Sequence, residues 1–164
     1  MSAPLYTKEA PLSNRRIDSE SATIRPARAE DAAGIAALAG QLGYPSTSEQ
    51  IAERLEALRD HRESAVLIVE AEGGSLLGWI HVSINRLVES DPDAEIRGLV
   101  VDEAARSGGL GRRLVEEAEA WALERGHGWI SVRSNVIRDR THRFYERLGY
   151  RRTKTQHKFR KQLD

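Results

Sequence analysis

The sequence predicts a mixed α/β domain, a central mixed β-sheet with helices on both faces, and three observations lead there. Short apolar or alternating runs interleave with longer stretches whose apolar residues recur every three to four positions, in the order βααβββαβαβ. Strand, helix and strand alternate only in the second half, which calls for parallel neighbours there, whereas Gly73 and Gly74 join two strands as a hairpin in the first half. A length of 164 residues, 40% hydrophobic and 30% charged, suits one globular domain able to bury its own core.

Residues Met1 to Ala22 mix Ser, Pro, Arg and Glu without periodicity, which sets them apart as an arm, and residues 23–164 form the domain. Thr23 to Arg25 reads as a short strand stopped by Pro26. Ile35, Leu38, Ala39 and Leu42 share one face of a first helix, closed by Gly43 and Pro45. Ser46 and Glu49 form a capping-box pair ahead of Ile51, Leu55 and Leu58, so a second helix runs to Arg59. Ala65 to Glu70 is a nearly continuous apolar run, and Leu76 to Ile84 is its hairpin partner.

After an acidic loop at Glu89, Asp91 and Asp93, the next strand spans Ala94 to Val101 with Gly98 inside it, the sign of a bulge or of a ligand against the backbone. Leu110, Leu114, Ala118, Trp121 and Ala122 line a longer helix that Gly126 ends. Trp129 to Arg133 alternates as a strand, and Asp139 to Leu148 is a short helix stopped by Gly149. Tyr150 to Phe159 reads as a final strand paired with its neighbour. Its basic residues Arg151, Arg152, Lys154, Lys158, Arg160 and Lys161 then form a wet edge face, or else reach an anionic partner.

With 25 basic and 25 acidic residues the chain has no global field to draw it to nucleic acid or an anionic membrane, so any anion site must be local. The absence of cysteine excludes disulfides, thiolate metal sites and a cysteine nucleophile, and it suits a reducing cytoplasm, the expected location. No apolar run approaches the roughly 20 residues of a spanning helix, and the N-terminus lacks a signal-peptide core. His61, His127, His142 and His157 show no metal-ligand spacing with carboxylates, and no metal is expected.

The stretch Ile96 to Arg113 carries the functional signal: an apolar strand enters a glycine-rich turn that opens a helix, with Arg106, Arg112 and Arg113 around it. Glycines let a ligand approach the backbone, and the first N–H groups of a helix point at any anion placed there. A Walker loop needs a Lys after its last glycine, which is missing. A dinucleotide fingerprint needs GxGxxG and a carboxylate at the end of the next strand, and Gly109 and Gly111 supply only GxG. RxxGxG is met by Arg106, Gly109 and Gly111.

Those residues, with LVVDEAARSGGLGRRL and SNVIRDRTHRFYERLGY, make the chain similar to the GCN5-related N-acetyltransferase (GNAT) superfamily from Thr23 to about Phe159. The resemblance implies an acyl-CoA N-acyltransferase fold whose sheet is splayed beside the central strand, opening a slot for the thioester of acetyl-CoA. It implies that Leu99, Val100 and Val101 bind the pantetheine arm through their backbone, and that Arg106, Ser107, Gly108, Gly109, Leu110, Gly111 and Arg112 form the pyrophosphate loop. Ser107 stands where the family usually has Gly. Arg138 stands where many members have Asn, and Asn135, three residues earlier, is the substitute candidate.

The resemblance also implies direct transfer of acetyl to an amine, with Tyr145 as the acid that protonates the thiolate and Glu95 as the base that acts on the amine through water. Read from the residues alone, Tyr145 is a core aromatic stacked on Phe144 and Leu148, and Glu95 is a solvated strand end. His81 is a second candidate base. The acidic loop either attracts a cationic amine or is simply solvated. The expected function is acetyl transfer to a primary amine of a small molecule. A protein amine as acceptor, or a non-catalytic acyl-CoA-binding module on the same scaffold, stays open. Homodimers are common on this fold, so the resemblance leaves a homodimer open, with the arm as a contributor, and no nucleic acid or membrane is expected.

Overall fold

The computed structural model describes residues 21–163, and five strands and four helices lie within them. They are β1 (Thr23–Pro26), α1 (Ala32–Gln41), α2 (Ser48–Arg59), β2 (Ser64–Glu70), β3 (Leu76–Asn85), β4 (Asp93–Val101), α3 (Leu110–Glu124), β5 (Ile130–Val132) and α4 (Asp139–Arg147). The strands form one sheet in the order β1-β2-β3-β4-β5, antiparallel up to β4 and parallel between β4 and β5. The mixed sheet follows from the connections: tight turns join β2 to β3, and the 15-residue α3 makes the crossover that parallel pairing needs.

Each face of the sheet carries its own core. Leu67 and Val69 of β2, Ile80, Val82 and Ile84 of β3 and Ala94 and Ile96 of β4 meet Leu110, Leu114, Val115, Ala118, Trp121 and Ala122 of α3. On the opposite face Ile68 and Trp79 pack with Ala32 and Ile35 of α1 and Ile51 of α2. Complete enclosure of Ile80 and Leu114 contributes about 1.5–3 kcal/mol each. The alternation of apolar and polar residues along β3 sends Ile80 and Val82 to one face and Trp79, His81 and Ser83 to the other.

Three expectations are corrected. The arm was expected to reach Ala22; residues 1–20 lie outside the described ones, but Ala22 is only 3% exposed and its carbonyl accepts a hydrogen bond from Arg113 Nη2 at 2.7 Å, so it belongs to the core. The box that caps α2 is Thr47 with Gln50 rather than Ser46 with Glu49: Gln50 N donates to Thr47 Oγ1 and Thr47 N to Gln50 Oε1. Ser46 instead accepts from Arg54. The expected final strand, Tyr150 to Phe159, is not formed, and residues 151–163 are irregular and exposed. Between Tyr150 and Leu163 only Phe159 is large and apolar, too little to offset the entropy of ordering against the chain's own body.

Candidate active site

The loop after β4 is held by local bonds. Asp102 Oδ1 accepts from Ala104 N at 2.8 Å and caps a single 3-10 turn, while Arg106 Nε donates to the Val101 carbonyl and its Nη1 meets Glu103. Arg106 therefore braces the turn from behind. Ser107 and Gly109 both take left-handed φ, 78° and 79°. That conformation is free for Gly109 and costs Ser107 roughly 1–2 kcal/mol, the physical reason a glycine is the ordinary choice there.

Gly109 is the N-cap of α3, and no side chain caps this helix end. The first turn of α3 also lacks an acidic residue and carries Arg112 and Arg113 where the helix dipole favours negative charge. Arg112 pairs with Glu116 at 2.7 Å and Arg113 reaches the Ala22 carbonyl, so both are positioned by the protein. The arrangement is suited to an incoming anion. At Gly111 an added Cβ would meet Phe144 Cζ at 3.4 Å and Val101 Cγ2 at 3.6 Å, ordinary contact distances that show α4 lying close against the start of α3.

The sheet opens beside this loop. β5 pairs with β4 only at Ala94, Ile96 and Glu95 between them, and the next five residues of β4, from Arg97 to Val101, continue without it. The main-chain groups of Leu99, Val100 and Val101 thus lie along an edge that β5 has left. A bulge sits at the start of the opening: His81 pairs with Gly98 and Val82 with Ile96, leaving Arg97 as the extra residue. Gly98 is required because a Cβ there would stand 2.8 and 2.9 Å from the Trp79 ring.

The far wall is α4 and the turn before it. Asn135 Oδ1 accepts from Ile137 N, its carbonyl bonds His142 Nε2 at 2.9 Å, and so it shapes the entry to α4. Arg138 Nη2 donates to the Leu42 carbonyl and ties α4 to the end of α1. Gln41 ties that same end of α1 to the loop, through Asp102 Oδ2 and Glu103 N. Ser134 Oγ and His142 Nδ1 are buried without a hydrogen-bond partner among the described residues, the latter 3.9 Å from Asp139 Oδ1. Together with the uncapped helix end, they fit a long polar donor such as coenzyme A.

Tyr145 is 7% exposed and sits edge-on between Phe144 at 5.1 Å and Tyr150 at 5.3 Å. Burial pushes its phenol up to about 12. Tyr150 is anchored by its hydroxyl, which donates to Glu119 Oε1 at 2.9 Å.

Glu95 is not the solvated strand end its position suggested: it is 4% exposed. Its carboxylate accepts from Arg133 Nε and Nη2 at 2.7 and 2.8 Å, from Asn85 Nδ2 at 2.5 Å and from Arg97 Nη1 at 3.2 Å. Burial alone would raise this carboxyl, but the bonds from Arg133 and Asn85 and the Arg97 charge outweigh it and hold it below the usual carboxylate range. Arg97 also binds Ser83 Oγ and Asn85 Oδ1, so Ser83, Asn85, Glu95, Arg97 and Arg133 form one network. Sequence reading singled out Glu95 alone. The signal for Ser83, Asn85 and Arg97 was their period-two spacing on neighbouring strands; none existed for Arg133.

His81 stands opposite the bulge, its Nε2 2.9 Å from Ser64 Oγ. Burial, helped by the Arg97 charge, lowers its pKa from the ordinary 6.5, so it is neutral at physiological pH. In the acidic loop Asp93 accepts from Ser131 Oγ at 3.1 Å, and it begins β4. Among the described residues no group of three His, Cys, Asp or Glu side chains could hold a metal ion, and no helix is long and apolar enough to cross a membrane.

Comparison with known proteins bears on this geometry. The profile of the acetyltransferase (GNAT) family matches residues 34–150. An aminoglycoside N(6')-acetyltransferase type 1 of Stenotrophomonas maltophilia is 29% identical over 147 residues, 87% of this chain and 94% of that protein. The enzyme of that name from Klebsiella aerogenes is 34% identical over 110 residues, 63% and 72% of the two chains. Among solved structures, an aminoglycoside antibiotic 6'-N-acetyltransferase of Acinetobacter baumannii superposes with a TM-score of 0.76 at 19% identity, over 87% of this chain and 99% of that one. Glucosamine-6-phosphate N-acetyltransferase of Arabidopsis thaliana does so with a TM-score of 0.72 at 24% identity, over 87% and 99%.

Proposed function

The chain belongs to the acetyltransferase (GNAT) family and is an N-acetyltransferase, and from that premise we propose that it moves an acetyl group from acetyl-CoA directly to the primary amine of a small molecule. The observation that carries this reading is the main-chain cradle: the uncapped start of α3, with left-handed Ser107 and Gly109 before it, next to the β4 edge that β5 leaves. Arg106 to Arg112 hold the pyrophosphate. Leu99, Val100 and Val101 take the pantetheine arm, with Ser134 and Asn135 on the other wall.

In the reaction the amine nitrogen forms a bond to the thioester carbonyl carbon, the carbon–sulfur bond breaks, and the thiolate takes a proton. Tyr145 supplies that proton. A phenol pushed up to about 12 keeps its proton at neutral pH, and the burial that raises it also raises the basicity of the departing thiolate. The amine must lose a proton in turn. Glu95 has its oxygens occupied by Arg133, Asn85 and Arg97, so it orders this network; held below the usual carboxylate range it is a weak base and would act on the amine only through a water. His81, neutral and opposite the bulge, is the second acceptor for that proton.

Three of the relatives named above are aminoglycoside acetyltransferases and one is a glucosamine-6-phosphate N-acetyltransferase; the acidic loop at Glu89, Asp91 and Asp93 suits polyamines of the first kind, whereas Arg97 and Arg133 suit an acceptor that also carries an anionic group. Thiol release from acetyl-CoA over aminoglycosides, phosphorylated amino sugars, amino acids and a lysine peptide tests the assignment. Release with one small-molecule class is the expected result. Release with the peptide alone would replace the small molecule by a protein amine, and coenzyme binding without release for any acceptor would leave a binding module.

A further inference from the structure

On the reading that acetyl passes to a small-molecule amine, we propose that this amine also carries a carboxylate or a phosphate, several bonds from the nitrogen, and that Arg133 and Arg97 bind it. The two arginines lie on a divided face of the sheet. Where Ile68 and Trp79 stand, α1 and α2 cover that face with Ile35 and Ile51. Past Trp79 the same face of β3 turns polar and is only half-buried, as His81, Ser83 and Asn85, with Glu95 and Arg97 beside them on β4.

This floor differs from an ordinary wet strand face, whose long charged side chains move independently and whose ion pairs contribute little. Here a carboxylate lies underneath and two guanidiniums lie over it: the Glu95 side chain is 5% exposed, that of Arg97 37% and that of Arg133 71%. Burying Glu95 costs desolvation, which one arginine with two parallel bonds is suited to offset. Arg97 is surplus to that task. Asp93, whose charge reaches Arg133, accepts from Ser131, and Glu63 is paired with Arg86, so Glu95 is the only ion-pair partner of Arg97 among the described residues. Both arginines are set in advance. Arg97 donates from Nε to Ser83 Oγ at 2.8 Å, from Nη2 to Asn85 Oδ1 at 2.7 Å and from Nη1 to Glu95. Arg133 gives Nε and Nη2 to Glu95, and its Nη1 bonds to no described residue. The outer end of the Arg133 plane therefore keeps Nη1 and the second N–H of Nη2 as a fork for another anion. Side chains already held lose little rotamer entropy when that anion binds.

Register sets the spacing. With the pyrophosphate at the loop after Val101, the thioester end of the pantetheine arm lies toward Leu99. Glu95 pairs with Ser83 and Leu99 with Ile80, so the guanidiniums around Glu95 stand three β3 residues away, roughly 10 Å along the strand at about 3.3 Å each. An α-amino acid, with a single carbon between nitrogen and carboxylate, is too short to meet both ends. A longer amino acid or a phosphorylated amino alcohol spans them. A polycationic acceptor would set its further charges against Arg97 and Arg133 before it reached Glu89 and Asp91, which precede β4.

Thiol release from acetyl-CoA by the full chain is measured with acceptors paired to differ only in the anionic group. The carboxylate arm sets glycine, 4-aminobutyrate and 6-aminohexanoate against methylamine, propylamine and pentylamine; the phosphate arm sets 3-aminopropyl phosphate against 3-aminopropanol; spermidine stands for polycations. The expected result is a kcat/KM at least ~10-fold higher for a longer anionic acceptor than for its uncharged partner, expressed in KM and missing for glycine. The arm with the larger preference identifies the anion. Arg133→Gln and Arg97→Gln each lower that ratio at least ~10-fold, and Arg133→Lys restores part of it, while donor affinity by calorimetry stays within about twofold. Because it is a ratio, it does not depend on how much of a variant is folded. Equal kcat/KM within every pair, spermidine preferred over every anionic acceptor, or a ratio that both Gln variants leave unchanged would overturn the proposal and leave acetyl transfer standing. Release with none of these amines would overturn it together with the reading on which it rests.

Discussion

The two sides of the slot are built in opposite ways. The side proposed for the donor, from Gly98 to Arg113, is one continuous stretch that offers main-chain N–H groups, shaped by left-handed Ser107 and Gly109 and by a helix end without a side-chain cap. The side proposed for the acceptor is a side-chain network drawn from β3, β4 and the residue after β5, with Glu95 and Arg133 paired across 38 positions. A backbone site tolerates sequence change as long as conformation is kept. A side-chain site can be retuned by single substitutions, which is how one fold serves many acceptors.

The sharpest way to break this contrast is a side chain placed in the backbone site. Gly109→Glu forces a left-handed position on a residue with a Cβ and sets a carboxylate at the anion-binding helix end, so acetyl-CoA affinity falls on the order of 100-fold or more by calorimetry. Unchanged affinity would remove the loop from the site. Next in size, Tyr145→Phe lowers turnover by about 10²-fold while donor affinity, measured in the same way, stays within about twofold. Full turnover would leave Tyr145 a core aromatic packed on Phe144 and Tyr150.

On the acceptor side, Glu95→Gln leaves Arg97 and Arg133 without their shared carboxylate. The expected loss in urea unfolding is about 1–3 kcal/mol, discounted because the Arg133 side chain is 71% exposed, and donor affinity is unchanged. The same carboxylate gives a pH signature. Because folding depresses its pKa below the ordinary 4.5, its contribution is fully present above that pH and is lost as the pH falls through the folded value. The wild type should therefore lose stability below pH 4.5 more steeply than Glu95→Gln; parallel curves would detach Glu95 from the network. The smallest effect is expected at Ser107→Gly, which relieves the left-handed strain, offset by added freedom of the unfolded chain. A gain of about 0.5–1 kcal/mol in thermal unfolding follows, with little change in donor affinity.

The order of elements up to α4, the hairpin at Gly73 and Gly74, the two helix faces and the glycine loop after β4 were legible because each depends on residues close together in the chain. Gly98 could be read as a bulge marker, but that Trp79 fills the space above it could not. The segment after Tyr150 misled for the same reason: its alternation is a true strand pattern, and pattern alone does not say whether a sheet edge is within reach.

Local sequence thus determined the shape of the loop proposed to hold the donor, since φ, helix starts and turn shape follow from glycine, proline and the few residues beside them. Only the tertiary structure decided that Glu95 is buried under Arg133 and Arg97, that β5 leaves β4 after Ile96, and that Tyr145 is enclosed between two rings. These depend on which distant strands meet and in what register, and the free energy that selects a register is summed over the whole core rather than written at any one position.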